Sequence, residues 1–184
     1  MPEDAGVVEL RTDRLVLRRW RKSDRQPFAR MNADPVAMEH LLSPLTGEES
    51  DAFVDRIERH FEDRGFGLWA VEIPPEAPFI GFVGLQIPRF DAHFMPAVEI
   101  GWRIDRSHWG RGLATEAARA ALADGVDRMG LMGVVSFTIP ANVRSIRVME
   151  KLGMTHDPGD DFEHPGVPVG HPHRHHVLYR IRRD

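Results

Sequence analysis

The sequence predicts an α+β fold, with helices flanking a mixed, mostly antiparallel sheet. Three observations carry this. Helical spacing is concentrated between about residues 24 and 64. A run of β-rich segments with turn punctuation fills 68–104. The remainder alternates strand, helix, strand, helix, strand. At 184 residues the chain is expected to form a single domain, 1–184, large enough to bury a real core.

The elements follow in order. Residues 14–20 alternate basic and apolar side chains, as a half-buried strand does. Ser23 and Asp24 offer an N-cap for a helix through about Met31, and Asp34-Pro35 opens a short second helical stretch toward Leu42. Thr46-Gly47-Glu48-Glu49 reads as a helix start. Phe53, Ile57, His60 and Phe61 then share one face, and Arg64-Gly65-Phe66-Gly67 ends the helix. Leu68-Trp69-Ala70-Val71-Glu72-Ile73 is a strand, and the proline-rich run 74–78 is a turn that blocks both helix and sheet. Residues 79–87 return as the second strand of a hairpin. Gly81 and Gly84 there mark a bulge or a close backbone approach. A loop at 91–96 leads to a strand at 97–104. A helix over 113–129 is stopped by Gly130, and 134–139 is a compact β-branched strand. Asn142 begins a helix that turns Ile146, Met149 and Leu152 inward and closes at Gly153. A loop rich in Pro, Gly and His, 158–172, precedes a last strand at 176–181.

Composition excludes several function classes. With 24 Lys and Arg against 28 Asp and Glu, the net charge of −4 provides no global basic field for nucleic acid. There is no cysteine, which removes disulfides, thiolate metal sites and a cysteine nucleophile together. Residues 1–6 are acidic and lack the apolar core of a signal peptide, and no apolar run approaches a membrane span. The expectation is a cytoplasmic protein, monomer or homodimer, without nucleic-acid or membrane partners.

The most informative segment is Trp109-Gly110-Arg111-Gly112-Leu113-Ala114-Thr115-Glu116, between a strand and a helix. Two glycines one residue apart at a helix start expose backbone N–H groups at its positive end, a seat for phosphate. A Rossmann turn would carry a third glycine where Thr115 stands, and no Walker loop exists in the chain. Taken alone, the tripeptide is equally compatible with a tight turn that holds no ligand.

The neighbours decide between these. Trp109 to Ala114 resembles motif A of the GNAT superfamily of acyl-CoA-dependent N-acetyltransferases, with Trp109 in place of the usual Gln or Arg. That departure is familiar in the branch containing the RimJ/RimL-type ribosomal-protein acetyltransferases. Residues 10–18 look like that branch's opening strand, Val98-Glu99-Ile100-Gly101-Trp102 is similar to its fourth, and Asn142-Val143-Arg144-Ser145 with 150–154 looks like its motif B. His176-Val177-Leu178-Tyr179 matches its closing strand.

The resemblance implies a sheet splayed open between its fourth and fifth strands, with acetyl-CoA as co-substrate and no metal. The pantetheine arm would pair with backbone around Trp102, Arg103 and Ile104. The turn at Trp109, with N–H groups from Gly110, Arg111, Gly112, Leu113, Ala114 and Thr115, would hold the pyrophosphate. Glycine at 110 and 112 keeps a Cβ away from the phosphates. Arg111 either adds charge or faces solvent. Asn142 and Arg147 are further cofactor contacts. Asn142 doubles as a helix N-cap with Ser145 at its third position. Arg147 is within reach of the adenosine 3′-phosphate, and Lys151 reads as part of a solvated helix face.

Acetyl transfer by direct attack in a ternary complex needs a neutral amine, a donor for the oxyanion and a proton for the leaving thiolate. Glu99 is the candidate base or amine-binding group, set against a salt-bridged strand residue. A backbone N–H of the fourth strand is the oxyanion donor. Ser145 is the favoured acid. Tyr179, the only tyrosine, is read as core or pocket wall. His164, His171, His173, His175 and His176 lack zinc-site spacing and are read as a surface loop, in which His164 or His173 would touch the acceptor. The acceptor is a primary amine, either a protein N-terminus or a small molecule, received by the early helices and the 91–96 loop. The alternative of another class is a non-catalytic acyl-CoA-binding protein, which would keep the glycine turn without a working base and acid.

Overall fold

The computed structural model describes residues 9–182. The acidic stretch 1–6 lies outside the described residues. Strands β1 (Leu10–Arg11), β2 (Val16–Arg18), β3 (Leu68–Ile73), β4 (Ala77–Gln86), β5 (Glu99–Ile104), β6 (Gly133–Thr138), β7 (Thr155–His156), β8 (Phe162–Glu163) and β9 (His175–Arg182) form a continuous sheet in the order β1-β2-β3-β4-β5-β6-β9-β7, with β8 on β9. All neighbours pair antiparallel except β5 and β6. The expected opening strand is thus a small hairpin of two, which renumbers the expected fourth and fifth strands as β5 and β6.

Helices α1 (Arg25–Ala33) and α2 (Gly47–Arg64) cover one face, where Phe28 and Phe53 pack on Phe82 of β4. Helix α3 (Leu113–Asp127) covers the other, so tightly that a Cβ on Gly125 would meet Leu85 Cδ1 at 2.8 Å. Helix α4 (Val143–Lys151) continues this second layer. α2 forms where the sequence places it. Thr46 Oγ1 accepts from Glu49 N–H, the Glu49 carboxylate accepts from Thr46 N–H, and Gly65 at φ 74° ends the helix. Gly81 and Gly84 do mark close backbone approach: a Cβ would lie 2.0 Å from the Arg103 carbonyl oxygen and 2.1 Å from that of Gly67.

Two expectations are corrected. Residues 35–43 form turns and bends in place of a helix. Met38 is buried but Leu41 and Leu42 stay exposed, so an apolar stripe never finds a core to cover. β2 is buried throughout, without a solvated basic face. Arg18 points inward and all five of its guanidinium N–H groups are used. Two go to Asp24, one to Glu72, and one each to the carbonyls of Arg19 and Pro78. Asp24 is therefore engaged by Arg18 and by Arg21 N–H, and caps no N–H of α1. Among the described residues no helix is long and apolar enough to cross a membrane.

Candidate active site

β5 and β6 share a single parallel register pair, Glu99 with Val135, marked by Val135 N–H donating to the Val98 carbonyl at 2.9 Å. Beyond it the strands part. Ser136 Oγ donates to the Ile100 carbonyl at 2.9 Å and closes the apex of the wedge. Backbone groups alternate sides along a strand. Asp105 N–H donates to Ile80 on the β4 side, so the N–H and C=O of Trp102 turn the other way, into the wedge.

The wedge widens into a cavity of about 580 Å³. Its walls gather most of the residues expected to hold the cofactor. Trp102, Arg103 and Ile104 come from β5; Trp109, Gly110, Gly112, Leu113, Ala114 and Thr115 from the turn and the start of α3; Asn142, Ser145 and Arg147 from α4 and its cap. Lys151 also lines it, from the solvent-exposed side of α4 expected for it. Two expected residues lie elsewhere. Arg111 is not part of the wall, because its guanidinium pairs with Glu76 at 2.7 Å on the turn between β3 and β4. Glu99 sits outside the cavity, on the opposite face of β5.

The glycine turn is shaped by backbone conformation. Gly110 and Gly112 have φ of 75° and 76°, and neither would bring a Cβ within 3.4 Å of a protein atom. Glycine is therefore required by the left-handed backbone itself. The first bond of α3 runs from Glu116 N–H to Gly112 O at 3.0 Å, and no side chain caps the helix. The N–H groups of Leu113, Ala114 and Thr115 are left facing the cavity. From outside, Glu116 accepts from Thr12 Oγ1 at 2.6 Å and from Arg14 Nε at 2.7 Å, while Arg14 donates to the Arg111 carbonyl at 3.0 Å. This brace joins residues about a hundred positions apart and carried no local signal in the sequence.

Ser145 is oriented from two sides. Its N–H donates to Asn142 Oδ1 at 3.2 Å, and its Oγ accepts from Trp102 Nε1 at 3.3 Å. With an acceptor site on Oγ taken by the indole, the hydroxyl proton is left to donate. Asn142 also donates to Thr138 Oγ1 at 3.0 Å, so both ends of its amide hold α4 in place. Tyr179 does not line the cavity. It is a core residue stacked on His156 with ring centroids 5.1 Å apart.

On the face of α1 and α2, Glu99 Oε2 accepts from Gln86 Nε2 at 2.9 Å. Burial pushes the Glu99 carboxyl up to about 7, against the smaller pull of the Gln86 hydrogen bond. Arg103 donates to Asn32 Oδ1 at 2.6 Å, and Asn32 in turn donates to Ser50. Burial alone lowers the Arg103 pKa to about 10.

The histidines are only partly a surface loop. The His164 and His176 rings lie 5.0 Å apart, tilted by 43°, inside an aromatic cluster with Phe90, Phe137 and Phe162, and burial lowers the His176 pKa to about 4. His173 Nδ1 lies 3.1 Å from the Leu41 carbonyl. No group of three or more His, Asp or Glu among the described residues is placed to hold a metal ion.

A family model described as an acetyltransferase (GNAT) domain matches residues 14–155. The Bacillus subtilis (strain 168) protein named Uncharacterized protein YkkB is 32% identical over 148 residues, 80% of this chain and 85% of that protein. Uncharacterized N-acetyltransferase YnaD of the same strain is 28% identical over 148 residues, 80% of this chain and 82% of its own. Among solved structures, an acetyltransferase from Agrobacterium tumefaciens str. C58 superposes with a TM-score of 0.77 at 25% identity, covering 97% of this chain and 96% of that one.

Proposed function

The chain belongs to the GNAT acetyltransferase family, and on that premise we propose that it transfers an acetyl group from acetyl-CoA to a primary amine by direct attack in a ternary complex. Residues 1–184 are read as one transferase unit, since β9 completes the sheet begun by β1. The observation that carries the proposal is the wedge between β5 and β6. Free strand backbone, a left-handed glycine turn and a hydroxyl oriented to donate meet in one cavity, and a carboxyl with a pKa of about 7 stands across β5.

Acetyl-CoA supplies the activated acyl group and a thiolate leaving group. Glu99 takes the proton of the attacking amine, and its raised pKa matches that task near neutral pH. Trp102 N–H, the first β5 donor past the wedge apex, donates to the developing oxyanion. Ser145 Oγ–H relays a proton to the departing sulfur and is refilled by the proton that the attacking nitrogen sheds as the C–S bond breaks, with Trp102 Nε1 holding the hydroxyl. The N–H groups of residues 110–115 seat the pyrophosphate, and Arg147 with Lys151 approaches the 3′-phosphate. Arg111 serves through its backbone only.

The acceptor is a protein N-terminus, as in the RimJ/RimL-type branch, or a small-molecule amine. The opening residues 10–18 and Trp109 at the head of motif A support the first. The face of α1 and α2 around Glu99 and Gln86 is where either would dock.

Acetyl-CoA at about a hundred times its dissociation constant is expected to stabilise the protein by roughly 2.7 kcal/mol, a rise of several degrees in melting temperature. No shift at saturation sinks the cofactor reading. A shift without thiol release from any amine would identify a silent acyl-CoA binder. Ser145→Ala is expected to lower kcat by about 10- to 100-fold, at the weak end of general acid catalysis, with little change in acceptor KM. An unchanged kcat, measured by thiol release, removes Ser145 from the chemistry.

A further inference from the structure

A second cavity of about 370 Å³, which shares no residue with the first, opens between α2 and the end of β4. Four guanidinium groups line it: Arg56, Arg59 and Arg64 from α2, and Arg89 just beyond β4. The only carboxylate in the wall is Asp63. Two arginines that reach α2 from outside it are neutralised by its carboxylates, Arg19 by Glu58 and Arg25 by Asp51 and Asp55. Those of the cavity form no ion pair among the described residues. Asp55 lies in the field of Arg59, but its carboxylate is bonded to Arg25.

The cluster is held in place. His60 Nδ1 meets the Phe66 carbonyl at 2.7 Å, and its Nε2 accepts from Ile87 N–H at 3.3 Å, which fixes a neutral ring. Burial lowers the His60 pKa, in keeping with that state. The ring thereby ties the chain at 87–89 to α2 and keeps Arg89 facing Arg56. Arg56 also sits over the Phe53 ring, 5.2 Å from its centroid. Burial, then Arg89 and Arg59, lowers the Arg56 pKa, as expected where like charges crowd without a counter-ion.

Gln86 connects this cavity to the chemistry. It lines the wall, and its Nε2 donates to Glu99 Oε2. Resting on the transferase reading above, we infer that the acceptor is a small amine that also carries an anionic group, a carboxylate or a phosphate, received by Arg56, Arg59 and Arg89 while its amine meets Glu99 past Gln86. The volume lies within the range of small-ligand pockets. Arginine forks match both anions in bidentate geometry, and the same field repels a polyamine.

The test compares thiol release from size-matched amines: an amino dicarboxylate, an aminoalkyl phosphate, a neutral amino amide and a polyamine. At least a tenfold higher kcat/KM is expected for an anionic acceptor, and the carboxylate and phosphate arms tell the two sources apart. Arg59→Gln combined with Arg89→Gln is expected to raise KM for that acceptor at least tenfold, while the acetyl-CoA-induced rise in melting temperature is unchanged. Equal or faster turnover of the amide or the polyamine overturns the inference. A separate readout needs no turnover. Glutarate, a dicarboxylate without an amine, should bind the wild type in titration calorimetry and lose that binding in the double variant. No binding to wild type, or undiminished binding to the double variant, also overturns it. Arginine-dependent glutarate binding with no thiol release from any amine would support the anion pocket and overturn the transferase reading instead.

Discussion

Glu99→Gln lowers kcat by about 10²- to 10⁴-fold at pH 8, the usual contribution of a positioned base, and leaves the acetyl-CoA-induced rise in melting temperature intact. The two effects separate because Glu99 lies outside the wall of the donor cavity. In the wild type, kcat/KM should climb about tenfold per pH unit below 7 and level off above it, since the working form is the carboxylate and its pKa is about 7. Stability runs the other way. A carboxyl whose folded pKa is raised binds its proton more tightly in the folded state than in the unfolded one. Its contribution is therefore most favourable below the unfolded value of 4.5 and declines as pH rises to about 7. The melting temperature of Glu99→Gln relative to wild type should accordingly increase between pH 5 and pH 8. Turnover by the variant at the wild-type rate would remove Glu99 as the base. A stability difference that is flat with pH would show that the carboxyl is not raised.

Arg18→Ala is expected to destabilise the fold by about 3–5 kcal/mol, the range for breaking a buried ion pair from one side. Arg18 and Asp24 are 3% and 2% exposed, and the substitution strands the Asp24 carboxylate with Arg21 N–H as its remaining partner. For a chain of this length the loss corresponds to a fall of roughly 6–20 °C in melting temperature. Arg18→Lys should recover little, because an ammonium cannot reach two carboxylates and two carbonyls at once. Arg18→Met with Asp24→Leu should recover most of it, since no buried charge is then left unpaired. A fall of less than a few degrees for the single variant would mean that water reaches the pair. Acetyl-CoA affinity is expected to be unchanged, because the network lies away from the cleft.

Which parts of this were legible in the sequence follows from the range of the forces involved. α2 could be read because its stop and start signals are local: Thr46 with Glu49 at one end, Gly65 at the other. β3 could be read because the prolines after it permit no continuation. The 34–42 stretch departs from the expected helix because spacing shows only that a helix could bury an apolar stripe; the core takes Met38 and part of Ala37, and Val36, Leu41 and Leu42 stay exposed. Arg18 was misread for a related reason. Period-2 alternation presumes a wet face, and β2 has none. Within the site, the glycine turn and the Asn142 cap are contiguous motifs and were visible. The Arg14–Glu116 brace, the Gln86–Glu99 bond and the arginine cavity depend on contacts between distant segments, which no window of sequence displays. Arg111 illustrates the converse. It belongs to the motif by position, but Glu76 from another turn claims its side chain.

The four tryptophans are divided in a way that gives the chain a built-in optical gauge. Trp20 and Trp69 are sealed in the core, at 9% and 0% exposure. Trp102 and Trp109 line the donor cleft, one bonded to Ser145 and the other lying under the Arg144 guanidinium at 4.2 Å. Intrinsic emission therefore contains two indoles that sense what enters the cleft and two that serve as a constant reference. Donor occupancy can be followed in the unlabelled protein, during turnover, without a coupled assay.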